Sequence, residues 1–257
     1  MRYDVTGLTG PDAGVVVLST GLGGFGAYWK PQLAALEQRY RVVVYDHRGA
    51  GANAGPLPDG YSIGHMADDV LDILDDGGFG PVHFVGHALG GLVGLDLALR
   101  RPDRLASLTL VNAWAKIASP TLRCFEARTA LLRHAGVAAY VRAQAIFLYP
   151  AEWIAANEAR LAADEAHAIE GFQGEDTLLR RIAALSAFDV SRRLSEVPTP
   201  TLVVAATDDV LVPWTASRDL AEGLPRGRLQ LGTGGHASTV TEAAAFNSVL
   251  REFLDDL

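Results

Sequence analysis

Cysteine is nearly absent: the chain has one, Cys124, in 257 residues. A single thiol excludes an internal disulfide framework and fits a reducing compartment. With no CxxC around it, Cys124 reads as a small buried apolar residue. Basic residues are the minority charge, 22 Lys and Arg against 30 Asp and Glu for a net charge of −8, and no basic run stands out. That balance argues against a phosphate backbone as partner and for a solvated acidic surface. No apolar run approaches the ~18 residues a spanning helix needs, and the N-terminus MRYDVTGL has no signal-peptide core. The expectation is a cytoplasmic protein with no membrane and no nucleic-acid partner. Internal repeats and low-complexity tracts are missing as well. What remains, 49% hydrophobic and 20% charged residues, can bury a full core.

Strands and helices alternate through the first part of the chain. RYDVTGL alternates like a half-buried edge strand, GPDAG (Gly10 to Gly14) has turn chemistry, and VVVLST is a continuous apolar run of the kind covered on both faces. GLGGFGAYW follows as a glycine loop, then a helix KPQLAALEQ and a buried strand RVVVYDHRGAG, Arg41 to Gly51. Ile63, Met66, Val70 and Ile73 recur at helical spacing between Ser62, a predicted N-cap, and Gly77, a predicted stop. VHFVGHALGG, Val82 to Gly91, is strand, tight turn and helix, with Leu92, Leu95 and Leu99 on one stripe and Pro102 ending it; LASLTLVNAW, Leu105 to Trp114, is the next strand. This rhythm implies a mainly parallel sheet with helices on both faces. It breaks from Ala115 to about Val197, where only amphipathic helices are read, the first with Ser119 as N-cap, Pro120 at N1, and Leu122, Phe125 and Leu132 at helical spacing. The sheet then resumes with TLVVAATDD, a helix near Ala216 to Glu222, the strand RLQLGT and a closing helix carrying Phe246, Leu250 and Phe253. The expected division is a core of residues 1–114 and 198–257, with residues 115–197 as a helical lid over the carboxyl ends of the strands, where open α/β sheets bind ligands.

Three strand-end loops carry the candidate chemistry. Gly86 and Gly90 stand two residues either side of Ala88, the glycine spacing of a nucleophile elbow with no hydroxyl at its centre. The turn after Thr201 to Ala206 offers Asp208 and Asp209, and the loop GGHAST offers His236. An imidazole moves a proton, and a carboxylate fixes its tautomer and stabilises the imidazolium. Gly21, Gly23 and Gly26 also satisfy a GxGxxG dinucleotide pattern, but the only ribose-binding acid available is Asp46, which leads straight into another glycine turn. His83 and His87 are four apart yet lie on a strand and a turn, so they share no helical face, and no metal or cofactor is implied. His87 reads as a packing residue between sheet and lid.

With the early glycine loop, DHRGAG, the GHALGG elbow, DVLVP and GGH, the chain resembles the α/β-hydrolase superfamily along its whole length. FLYPAEW, RCFEARTALL, FQG and YSIGHMA make it similar, within that superfamily, to the branch that hydrolyses aminoacrylate or carbamate in bacterial pyrimidine utilisation. GHALG, alanine included, is part of that likeness. The resemblance implies the order nucleophile position, acid, histidine for Ala88, Asp209 and His236, with Asp209 preferred to Asp208 because three residues separate it from Pro213. It also implies an oxyanion site from the backbone amides of Leu22 and Leu89. A small acidic substrate would need a cation, for which Arg123 and Arg128 are the candidates. The expected reaction is His-assisted attack of water on a labile C–N compound, giving malonic semialdehyde and ammonia from 3-aminoacrylate or ammonia and carbon dioxide from carbamate. The alternatives are a serine esterase whose elbow serine was replaced by alanine, a non-catalytic binding protein on the same fold, and a cofactor-free lyase or oxygenase. A homodimer is compatible with the sequence.

Overall fold

The computed structural model describes residues 1–10 and 13–257. Pro11 and Asp12 of the GPDAG turn lie outside the described residues. Among the described residues seven strands form one sheet in the order β1-β3-β2-β4-β5-β6-β7. They are β1 (Tyr3–Gly7), β2 (Val15–Ser19), β3 (Arg41–Tyr45), β4 (Val82–His87), β5 (Leu105–Val111), β6 (Thr201–Ala206) and β7 (Gly227–Gly232). Of these, β1 runs antiparallel, against β3, and all other pairings are parallel. β1 covers an edge and is mostly exposed, as its alternating polar sequence requires.

β2 is buried at every position because it lies between β3 and β4 with helices on both faces. Val15 and Val17 face the side covered by α2 (Ile63–Asp76), α3 (Leu89–Arg100) and α8 (Trp214–Gly223). Val16 and Leu18 face the side covered by α1 (Lys30–Leu36) and α10 (Ala243–Asp255), against Leu36, Phe246, Leu250 and Phe253. At about 1.5–3 kcal/mol for each fully buried aliphatic or aromatic side chain, these two apolar layers dominate the stabilisation of the sheet. Helix α2 starts where its cap requires: the Ser62 hydroxyl accepts from the His65 amide, and Gly77 closes the C-terminus.

Between β5 and β6 the chain inserts α4 (Ser119–Leu148), α5 (Ala151–Ala156), α6 (Glu158–Glu170) and α7 (Glu175–Ala187). The N-cap of α4 is Ala118 rather than Ser119. Ala118 is extended, and its carbonyl receives the first helical bond, from Leu122 at 3.1 Å, so Ser119 and Pro120 lie in the first turn. Proline is tolerated there because its missing N–H has no helical acceptor anyway. Of the stripe read for this helix, Phe125 and Leu132 are buried but Leu122 is exposed. α4 is two helical pieces joined at Gly136, whose φ of 85° suits glycine. The ends of the insertion are pinned together: Val190 donates to the Ala115 carbonyl at 3.0 Å and Lys116 pairs with Asp189 at 2.9 Å. Among the described residues no helix is long and apolar enough to cross a membrane.

The strand order also places the site. From β2 the chain steps outward to β3 and then returns past β2 to β4, so the crevice outside the carboxyl ends of β2 and β4 is the topological switch point. The early glycine loop leaves β2 there, and the elbow leaves β4.

Candidate active site

The elbow is forced by contact distances. A Cβ on Gly86 would lie 2.3 Å from the Gly90 carbonyl oxygen, and one on Gly90 would lie 2.3 Å from that of Ser19. Only glycine lets β4, α3 and β2 approach so closely. Ala88 between them has φ 48° and ψ −110°, a conformation that costs a residue with a side chain about 1–3 kcal/mol. Its amide donates to the Val111 carbonyl at 2.8 Å, which locks the turn onto β5. The methyl group of Ala88 faces a cavity of about 380 Å³ that Leu22, Leu89, Arg128 and His236 also line.

His236 and Asp209 meet at this cavity. The imidazole Nδ1 lies 2.7 Å from Asp209 Oδ2, and both side chains are buried. Asp209 is itself held as a carboxylate acceptor by the amides of Leu211 and Val212 at 2.8 and 2.9 Å. With Nδ1–H given to the aspartate, Nε2 is the ring nitrogen left to accept a proton. Asp208 works on the backbone instead. Its two oxygens accept the amides of Gly234 and Gly235, each at 3.1 Å, and shape the loop that delivers His236. The amides of Leu22 and Leu89 donate to no protein oxygen among the described residues, so both donors stay free at the cavity wall.

Two residues hold this arrangement: His87, read from the sequence as a packing residue, and Asn112, which was not singled out. The His236 carbonyl accepts two buried donors, His87 Nε2 at 2.9 Å and Asn112 Nδ2 at 2.8 Å. A carbonyl can only accept, so Nε2 of His87 carries the hydrogen. Burial pushes the His87 pKa down to about 3, helped by the neighbouring His236, and the ring stays neutral. Asn112, a non-glycine residue at φ 47°, also accepts the Ala206 amide at 3.0 Å. It therefore ties the ends of β5 and β6 and the histidine loop to one side chain. His87 stacks on Tyr28, 4.7 Å between ring centres, and lies equally close to His236. It is thus a strut between the elbow and the histidine loop, not a packing residue between sheet and insertion, because its ring lies under the early loop.

That early loop is fastened from the insertion. Arg181 on α7 is fully buried and donates to the carbonyls of Leu22 (3.3 Å) and Arg48 (2.6 Å) and to Gln173 Oε1. Burial lowers its pKa to about 10, still well above neutrality. A Cβ on Gly24 would collide with this guanidinium at 2.3 Å, which explains that glycine. Asp46, weighed above as a ribose ligand, spends its two oxygens on the amides of Gly26 and Ala52, each at 2.8 Å, and is a loop fastener.

The two candidate cations separate. Arg128 is buried at the cavity, where Nη2 donates to Tyr140 Oη at 3.2 Å and to Gln144 Oε1 at 2.6 Å. Its carbon Cζ lies 5.5 Å from the ring centres of Phe125 and Tyr140. Among the described residues Nε is buried without a partner, and both acceptors that Nη2 has are neutral. Arg123, five residues earlier and roughly 140° around the helix, is exposed and does not line the cavity. Arg123 is therefore corrected as a substrate ligand: its direction on α4 carries it into solvent.

Comparison with known proteins gives the family and the fold. The model of the alpha/beta hydrolase fold family matches residues 14–243. RutD of Rhizobium rhizogenes, named provisionally as a carbamate hydrolase, is 51% identical over 99% of this chain and 97% of its own. RutD of Pseudomonas savastanoi pv. phaseolicola, named in the same way, is 54% identical over 95% of each chain. Among solved structures, the enol-lactonase of Burkholderia xenovorans superposes with a TM-score of 0.90 at 28% identity, over 99% of this chain and 96% of its own.

Proposed function

The chain belongs to the α/β-hydrolase fold family and groups there with the RutD proteins, and from that premise we propose that it hydrolyses a small, water-labile acid at a C–N bond without a covalent intermediate. The substrate is carbamate or 3-aminoacrylate. One observation carries the reading: a buried His236–Asp209 pair beside an elbow whose central side chain, Ala88, has no atom that could attack. What such a site retains is the proton shuttle and the oxyanion donors. In serine hydrolases stripped of their nucleophile this residue of catalysis is worth about 10³ to 10⁴ over water, or roughly 4–5 kcal/mol. That is useless against an amide and sufficient for molecules that already decay unaided.

In this mechanism His236 Nε2 takes a proton from a water at the space beside Ala88, and Asp209 stabilises the imidazolium. The amides of Leu22 and Leu89 steady developing negative charge. For 3-aminoacrylate His236, protonated from solvent, first gives its proton to carbon. The freed imidazole then deprotonates the water that adds to the iminium carbon and passes that proton to nitrogen; ammonia leaves as the hydroxyl proton returns to the imidazole, and malonic semialdehyde remains. The Arg128 guanidinium receives the carboxylate, because a buried cation with only neutral partners gains most from an anionic ligand. The helices between β5 and β6 act as the lid that brings it there.

The test is a rate comparison, with and without protein, on freshly generated 3-aminoacrylate and carbamate. Ammonia appearing no faster with protein would leave only a binding protein. A serine esterase in disguise is the second reading, favoured by the strained elbow backbone that Ala88 preserves. Under the reading preferred here, Ala88→Ser gains at most a slow burst on p-nitrophenyl esters, and no acyl adduct forms on the unmodified chain.

A further inference from the structure

The cavity is too large for the substrates just named. Taking about 30 Å³ for a water-sized group, carbamate or aminoacrylate occupies on the order of 120–180 Å³, whereas the space in front of Ala88 is about 380 Å³. Most of the excess is walled by apolar and aromatic side chains: Phe25, Trp114, Phe125, Leu148, Leu185 and Val212. Near the elbow its polar groups are the proton shuttle and amide donors, and across the space stands Arg128 from α4, between the rings of Phe125 and Tyr140. Thr20, Tyr28, Gln144 and Tyr149 add neutral polar groups to the wall, and Asp164 stands exposed at the mouth. A pocket with one unpaired cation, one hydrolytic centre and an apolar body matches an acid whose labile bond and carboxylate are joined to an apolar group.

Resting on the hydrolytic reading above, we propose that this cavity also takes β-enamino acids bearing an apolar substituent as large as a phenyl ring on the nitrogen-bearing carbon, and hydrolyses them to β-keto acids. The balance is that of the smaller substrate. A proton adds to the α-carbon, the oxygen of water bonds to the carbon bearing nitrogen, and the C–N bond breaks. One water is consumed, one ammonia leaves, and no electrons are exchanged. The substituent lies against the apolar walls while the carboxylate stays on Arg128.

Two measurements test this. The first uses stable acids and reads binding alone: calorimetric titration of acetate, propionate, butyrate, valerate and 3-phenylpropionate, with 3-phenylpropanamide as the uncharged control. Affinity should rise about three- to fourfold per buried methylene until the cavity fills. The acid should bind at least tenfold tighter than the amide, a gap that Arg128→Met closes. A flat series, or equal binding of acid and amide, overturns the proposal. The second follows ammonia release from 3-amino-3-phenylacrylate against 3-aminoacrylate. Acceleration over the protein-free rate is expected for both, and Ala168→Trp, at the exposed mouth of the cavity, should lower the ratio of phenyl to unsubstituted kcat/KM at least tenfold. Acceleration of aminoacrylate alone overturns the inference. Acceleration of neither, with the binding series intact, removes the hydrolytic reading while supporting the recognition of these acids.

Discussion

The carboxyl ends of the strands and the helical insertion above them are built by different means. At the strand ends Ala88, His87, Asn112, Asp209 and His236 are all buried, and each polar one is fixed by hydrogen bonds to backbone groups or to another of the set. In the insertion, α5 buries no residue, α6 buries only Leu161, and the two ion pairs of α6, Arg142–Glu165 at 3.6 Å and Arg160–Asp164 at 3.5 Å, are long surface contacts. Under the proposed mechanism the proton acceptor therefore sits on the densely bonded strand ends, below helices of which α5 and α6 bury little. Among the described residues two arginines are buried, Arg128 and Arg181; Arg181 ties the insertion to the early loop through the carbonyls of Leu22 and Arg48, whereas the partners of Arg128 all lie on α4 itself.

The largest way to disturb the strand ends is acid. His47 and His87 are both buried and neutral, with pKa values pushed down to about 3 chiefly by burial. The unfolded chain binds their protons near pH 6.5 and the folded chain does not, so their full contribution is present above that pH and is lost as pH falls toward 3. Each should cost about 1.4 kcal/mol per pH unit in this window. Together they predict a loss of about 4 kcal/mol between pH 7 and 5, measurable by urea denaturation; a flat pH profile would contradict their neutrality. Next, His236→Ala should slow turnover by ~10²-fold or more with the fold retained, and an unchanged rate removes its role as base. Asn112→Ala is expected to cost about tenfold in kcat with little change in KM, since it loosens His236 without touching the cavity wall; Asn112→Asp, which cannot donate to the His236 carbonyl, should not rescue it. Smallest, Arg142→Ala in the insertion should shift stability by no more than ~0.5 kcal/mol, as exposed pairs do. A larger effect there would erase the distinction between the two regions.

The strands and most helices were legible because apolar runs and helical periodicity report burial directly. Gly86 and Gly90 were legible for a steric reason, since close approach of three backbones admits no other residue. Asn112 was not. A polar residue following an apolar strand looks like any loop entry, and its partners lie more than ninety positions away at Ala206 and His236. The cap of α4 was misplaced by one residue because Ser119 and Pro120 suit either reading locally. Arginine offered a signal that went unused. Arg128 stands between Phe125 and Leu132, and Arg181 between Leu178 and Leu185, each with a buried apolar residue three before and four after. An arginine on an apolar stripe faces inward with its neighbours. Arg123 has no such flanks, and it is the one exposed.

The residues by themselves determined the layered α/β architecture, the elbow and the absence of a nucleophile at its centre, because these follow from local pattern and from which atoms a side chain possesses. Tertiary structure alone decided that Asp208 holds the histidine loop through the Gly234 and Gly235 amides, that Arg181 fastens the early loop at Leu22 and Arg48, and that one carbonyl is gripped by both His87 and Asn112. Those outcomes depend on where separate strand ends converge in space, and no local spacing in the chain encodes that convergence.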